Sequence, residues 1–326
     1  MDLLIQNFIQ PPILFFLLGV AAALAKSDLE LPAPLPRVLS LYLLFAIGLH
    51  GGASLAKSGF GLAVIVPLGA ALALATFLPV VCFFILRSRL ALPDAAAIAA
   101  AYGSVSAVTF LTACNFLDQM KTPFGGHMIA ALALMEFPAI VVGMLLLRRE
   151  TPEAREATGR SLTLTHLVAE SLLNGSIFLL LGSLLIGIVA GETGWEKVEP
   201  LAGDLFPGVL CLFLLDMGMA VARRLGSIRQ TGVFPIAFAL IFPPVAGALA
   251  LALAWTLRMP EGDALLLIIL SASASYIAVP AVMRVAVPEA NPGLYVTMAL
   301  SLTFPVNVLF SIPVFYKIVN SLWSFT

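Results

Sequence analysis

Long apolar segments recur along nearly the whole chain, at about Ile5 to Ala25, Arg37 to Ala56, Phe60 to Leu86, Pro93 to Leu117, Gly125 to Leu147, Ser171 to Ala190, Leu201 to Ala222, Gly232 to Leu257, Gly262 to Val287 and Pro292 to Ile318. A helix of about 20 apolar residues crosses the hydrocarbon layer of a membrane and satisfies its own backbone polar groups. Each segment therefore reads as a spanning helix, and the 326-residue chain as an all-α integral membrane protein of ten spans. With 61% of residues hydrophobic and 11% charged, a water-soluble domain is excluded.

Other classes fall away for specific reasons. A formal net charge of −1 leaves no basic surface to neutralise phosphates, so no nucleic-acid partner is expected. Cys82, Cys114 and Cys211 lie in apolar stretches without paired or metal-ligand spacing, and read as buried thiols. His50, His127 and His166 form no metal cluster, so no transition metal or other cofactor is expected. No nucleophile elbow or phosphate loop occurs within the spans, which argues against an enzyme. No Lys or Arg precedes Lys26, so the first segment lacks the basic head of a cleavable signal and reads as a retained span.

Lys and Arg placement sets an expected topology. The connectors after spans one, three, five, seven and nine hold Lys26, Arg37, Arg87, Arg89, Arg148, Arg149, Arg155, Arg160, Arg223, Arg224, Arg229 and Arg284, against Lys57, Lys121, Lys197, Arg258 and Lys317 on the other side. Both termini are then outside, and the central connector, residues 148–170, is cytoplasmic.

That connector separates two halves, 1–147 and 171–326, that resemble each other. ILFFLLGVAAALA at Ile13 recurs as IFLLLGSLLIGIVA at Ile177, and LYLLFAIGL at Leu41 as LFLLDMGMA at Leu212. YGSVSAV at Tyr102 answers SASASYI at Ser271, and ALALMEFPAIV at Ala131 answers ALSLTFPVNV at Ala299. The matches keep one order at offsets between 163 and 171 residues, which indicates duplication. Five spans per half is an odd number, so the second copy enters from the opposite side and the repeat is inverted.

Interrupted helices at equivalent places in inverted halves point to a transporter's binding site near the bilayer midplane. Spans four and nine fit, with Ser104, Ser106, Thr109 and Thr112 in one, Ser271, Ser273 and Ser275 in the other, and Pro280 expected to loosen helix nine further. Small residues at ordinary helix contacts are the alternative; their recurrence in both halves favours the site. A broken helix offers free amides and a positive dipole end to an anion, and freed carbonyls to a cation. Glu136 lies two residues before Pro138 and Asn307 two after Pro305. Their hard oxygens suit sodium. Asp216 in span seven is a further intramembrane acid without an acidic counterpart in span two.

At YGSVSAVTFLTA, SASASYIAVPAVMR, VPEANPGLYVTMALSLTFPVNVLFSIP and GLHGGASL, the chain resembles the sodium-dependent bicarbonate transporter family of cyanobacterial carbon concentration. The likeness covers nearly the whole chain. It implies a five-plus-five inverted fold with crossed discontinuous helices four and nine, gate and core domains, elevator-like motion, a homotrimer, and sodium-coupled bicarbonate uptake across the bacterial cytoplasmic membrane. Carried over by position, it implies that Ser104, Ser106, Thr109, Ser271, Ser273 and Ser275 hold bicarbonate. The expected sodium ligands are Glu136, Asn307, Ser104, Thr303 and Asp216. One departure is the short connector, which puts family regulation by a cytosolic PII-like protein in doubt. The alternatives are a sodium-coupled carrier of another small organic anion and, with less support, a cation/proton antiporter, which generally needs carboxylates at the crossing itself.

Overall fold

The computed structural model describes residues 3–32, 34–59, 61–150, 173 and 175–324. Most of the expected connector, including Arg155, Arg160 and His166, lies outside the described residues, as does the expected start of span six at Ser171. Every element among the described residues is helical: α1 Leu3–Phe8, α2 Pro11–Leu24, α3 Leu35–Ser58, α4 Leu62–Leu86, α5 Leu92–Gly103, α6 Ala107–Gln119, α7 His127–Glu136, α8 Pro138–Glu150, α9 Gly175–Ala202, α10 Phe206–Thr231, α11 Val233–Thr256, α12 Glu261–Ser271 and α13 Ala278–Ala286. The last helix, α14, runs over Pro292–Trp323. Among the described residues, eight stretches are long and apolar enough to span a membrane, counting α5 with α6 and α7 with α8 as single stretches. The protein is an integral membrane protein.

Several segments are less regular than their hydropathy suggests, and the sequence explains most of the irregularities. The first span is two helices because Pro11 and Pro12 force Gln10 into an extended conformation (φ −66°, ψ 136°). Helix α9 runs past the expected end at Ala190 to Ala202, with a kink at Gly191 (φ 62°, ψ −161°) that glycine tolerates. Span five changes helix at Phe137, ahead of Pro138. In α14, Thr297–Thr303 and Asn307–Ser311 are π-helical, on either side of Phe304-Pro305.

Two of the carbonyls that prolines release are taken up by side chains from elsewhere. Pro243 denies Ala239 its helical donor, and Thr303 Oγ1 donates to that oxygen at 3.0 Å. Pro313 does the same to Leu309, and Asn7 Nδ2 donates to the oxygens of Val308 and Leu309, each at 3.1 Å.

Packing divides the helices into two groups. In one, α3 lies along α9 and α2 along α10, with α3 also touching α10. In the other, α4 packs on α5, α7 and α8, while α12 packs on α6, α11 and α14. Glycines let the first group close up. A Cβ on Gly19 of α2 would strike the carbonyl of Leu215 on α10, and one on Gly218 of α10 the carbonyl of Phe16 on α2. Likewise Gly52 of α3 meets the carbonyl of Leu184 on α9, and Gly187 of α9 that of Leu49 on α3. In each pair glycine and carbonyl sit three residues apart and face their equals. Lipid supplies no hydrophobic drive between helices, so such close backbone contact is what membrane helix pairing relies on. The three cysteines are buried free thiols.

Candidate functional site

Two helix interruptions meet inside the second group. Helix α5 ends at Gly103, Ser104 and Ser106 are extended, and α6 starts at Ala107. Gly103 is required there, because a Cβ would come within 2.6 Å of the Pro79 ring. Helix α12 ends at Ser271, and α13 starts at Ala278. Between the breaks, the Ser275 amide donates to the Ala101 carbonyl at 2.8 Å. In the other direction the Ser106 amide donates to Ser273 Oγ at 2.9 Å, and that hydroxyl donates on to the Leu270 carbonyl at 2.8 Å.

Each break then restarts a helix with a serine. Ser106 Oγ accepts from the Thr109 amide at 3.2 Å and from Thr109 Oγ1 at 2.9 Å, the N-cap geometry of α6. Ser275 Oγ accepts from the Val279 amide at 3.2 Å in the first turn of α13. A serine hydroxyl has two acceptor sites and one proton. Thr109 uses both acceptor sites of Ser106, which leaves its proton as the remaining polar capacity, within reach of the Tyr276 hydroxyl as well as the cavity. Pro280 falls in the first turn of α13, where its missing N–H has no intrahelical acceptor to lose. It therefore helps to start the helix and does not loosen it, contrary to expectation.

Both serines border a cavity of about 740 Å³. One wall consists of Val105 to Val108 and Ser275 to Ala278, with Glu136; the facing wall is mainly apolar, from Leu41 and Leu44 of α3, Phe178 and Leu179 of α9, and Phe213 and Met217 of α10, with Ser40 and Ser176 as polar members. The cavity thus lies between the two packing groups. Ala107 and Val108 at the start of α6 and Ala278 at the start of α13 lie on the first wall, so the positive dipole ends of both helices adjoin the cavity. Arg37 borders the cavity at the start of α3 and is exposed.

The remaining expected residues are distributed differently. Ser104 Oγ donates to the Glu136 carbonyl at 3.1 Å, tying the first break to the end of α7. Ser271 Oγ donates back to Leu267 within its own helix at 2.8 Å. Thr109 and Ser273 are spent on the bonds above. None of these four borders the cavity. Thr112 Oγ1 likewise returns to the Val108 carbonyl.

Of the expected sodium ligands, Glu136 alone borders the cavity. It is half-buried, and among the described residues no side chain bonds to its carboxylate. Thr303 is committed to Tyr102 Oη at 2.7 Å and to the Ala239 carbonyl. Asn307 is 1% exposed; its Nδ2 donates to the Ala272 carbonyl at 2.8 Å, in the second break, while its Oδ1 is buried without a donor among the described residues. Asp216 lies half-buried on α10 and does not border the cavity, unlike its neighbours Phe213 and Met217.

The profile of the Na+-dependent bicarbonate transporter superfamily matches residues 11–320. The chain belongs to this superfamily. No curated protein matches it. Membership agrees with the motifs at both breaks, which fall well inside the matched range. Residues that sequence reasoning missed at the cavity are Tyr276, beside Ser275 on its wall, and Arg37. Tyr276 was visible within the SASASY motif, but nothing in its spacing distinguished it from an ordinary core aromatic.

Proposed function

We propose that this protein carries bicarbonate inward with sodium across the bacterial cytoplasmic membrane, and that the anion sits between Ser106 and Ser275, against the starts of α6 and α13. The observation that carries the reading is the convergence of two capped helix beginnings on one cavity in a chain of this superfamily. Two positive dipole ends, first-turn amides and the Ser106 proton suit a small anion rich in acceptors. Glu136 and the unpartnered Asn307 Oδ1 are hard oxygens flanking the two breaks, and suit sodium.

Sodium also answers an energetic need. An inside-negative potential opposes anion entry by about 2.3 kcal/mol per charge per 100 mV. One sodium per bicarbonate removes that opposition and leaves the sodium gradient as the driving force.

A duplicated, inverted five-plus-five architecture with crossing breaks underlies the reading. It is supported by the reciprocal glycine contacts, since Gly19 and Gly187, and Gly52 and Gly218, play the same part in opposite halves. An elevator-like displacement of the broken spans along the α2, α3, α9 and α10 group is supported by the placement of the cavity between the two groups. The Lys and Arg bias supports external termini. The homotrimer rests on the family resemblance alone, as does binding of a PII-like regulator.

The test is uptake of labelled bicarbonate into liposomes containing the purified protein, with an inward sodium gradient or with potassium in its place. Accumulation only with sodium supports the reading. Sodium-driven flux of an organic anion without bicarbonate flux would transfer the site to that substrate, and proton-driven sodium flux would make the protein an antiporter.

A further inference from the structure

Each broken span begins with an aspartate that reaches into the opposite half. Asp94, in the first turn of α5, accepts the amide of Asn291 at 2.7 Å. Asp263, in the first turn of α12, accepts the amide of Gly125 at 2.6 Å. Asn291 and Gly125 introduce the spans that follow, α14 and α7. The two joints differ in burial. The bond of Asp94 is exposed, whereas Asp263 is 2% exposed and its other oxygen lies 3.2 Å from Nε2 of His127, itself 5% exposed. Gly262 has no room for a Cβ, because the Pro123 carbonyl occupies that space.

The buried joint clamps two short, proline-free helices at their N-terminal ends. Helix α7 has 10 residues and ends at Glu136; α12 has 11 and ends at Ser271, where the second break opens. At 1.5 Å per residue both are levers of about 15 Å, so a clamp at one end sets the separation of the groups at the other. Helix α7 also faces a competing surface. Gly126 packs on the carbonyl of Gly51 in α3, and Ile129 fills the space beside Gly51. The start of α7 is therefore held between the broken spans and the α3/α9 group.

We infer that Asp263, with His127, is a positioning residue that binds α7 to α12, fixes Glu136 relative to the Ser273–Ser275 break, and makes α7 travel with the broken spans. The inference rests on the sodium-coupled reading of the site. Its counterpart on the other half, Asp94, ties no helix that ends at a cavity residue, since α5 ends at Gly103 and α14 at Trp323, whereas Asp263 holds α7, which ends at Glu136.

The experiment measures sodium dependence of bicarbonate uptake in liposomes for the wild type, Asp263→Ala, Asp263→Asn, His127→Ala and Asp94→Ala, together with folded yield. Asp263→Ala should raise the half-saturating sodium concentration about tenfold while the maximal rate changes less than about twofold. Asp263→Asn, which keeps an oxygen for the Gly125 amide, should recover most of that loss. His127→Ala should shift sodium dependence about threefold, and Asp94→Ala less than about twofold. If Asp263→Ala does not fold, His127→Ala still decides the matter, because sodium dependence equal to wild type in that variant overturns the inference. Wild-type uptake that ignores sodium overturns the reading of the site and this inference together. Sodium-driven wild-type uptake with unshifted Asp263 variants overturns this inference alone.

Discussion

The break between α5 and α6 and the break between α12 and α13 solve one problem by different means. Ser275 of the second break donates its amide straight to a backbone carbonyl, that of Ala101, whereas Ser106 of the first donates to a side chain, Ser273 Oγ, which passes the bond to Leu270. The first break therefore depends on a residue in the second, and the dependence is not returned. The two Phe-Pro steps differ in the same way. The first follows Glu136, which borders the cavity, and the second follows Thr303, which is locked to Tyr102 and Ala239. On the proposed function, the first of these carries chemistry and the second only holds structure.

Substitutions at matched positions test that division, and the largest effect is expected at the acid. Glu136→Gln should raise half-saturating sodium by about tenfold or more. Thr303→Val, its counterpart, should leave sodium dependence in place and instead cost about 1–3 kcal/mol of stability by stranding the Ala239 carbonyl. Sodium titration of uptake and thermal unfolding in detergent separate the two outcomes; equal shifts in sodium dependence would end the asymmetry.

Ser273→Ala comes next. It deprives the Ser106 amide of its acceptor and should destabilise the protein by about 1–3 kcal/mol, with a raised half-saturating bicarbonate concentration because the Ser106 cap is displaced. Unchanged uptake and melting would show that the first break stands alone.

The glycine contacts predict symmetry. Gly52→Ala and Gly218→Ala each push a Cβ into a backbone carbonyl and should each cost about 1–3 kcal/mol, so their folded yields should fall together. A loss confined to one of them would break the equivalence of the halves.

The smallest effect belongs to Ser271→Ala. Its hydroxyl bonds only to its own helix, and the change should alter stability by less than about 0.5 kcal/mol and leave both substrate dependences alone. A marked rise in half-saturating bicarbonate would return Ser271 to the site.

Hydropathy and the serine motifs made the helical membrane class and the location of both interruptions legible, since a run of small hydroxyl residues inside an apolar span has few structural uses. What stayed hidden was the direction of each hydroxyl. Ser104, Ser106, Ser271, Ser273 and Ser275 are alike in sequence, and only the folded chain separates them, with Ser271 bonded within its own helix, Ser104 to the end of α7 and Ser273 across the halves. Register is harder to read. The matched strings, laid from their first residues, set Gly19 opposite Ser183 and Gly48 opposite Met219, whereas the reciprocal contacts give Gly19 the same part as Gly187 and Gly52 the same part as Gly218, about one helical turn away. Apolar strings of Leu and Ile match almost as well one turn out of step, whereas backbone contact tolerates no such slip. Asp94 and Asp263 were legible in principle, because each opens its broken span shortly after a proline, Asp94 directly after Pro93 and Asp263 three residues after Pro260. Acids at helix beginnings are common enough that only their reach across the halves distinguishes them.

The most direct measurement is a high-resolution structure of the protein in sodium bicarbonate, beside one in potassium chloride. The account predicts an anion within hydrogen-bond distance of Ser106 and Ser275 at the starts of α6 and α13, present only with sodium bicarbonate. An anion bound elsewhere, with the space between those two serines holding only water, would contradict it.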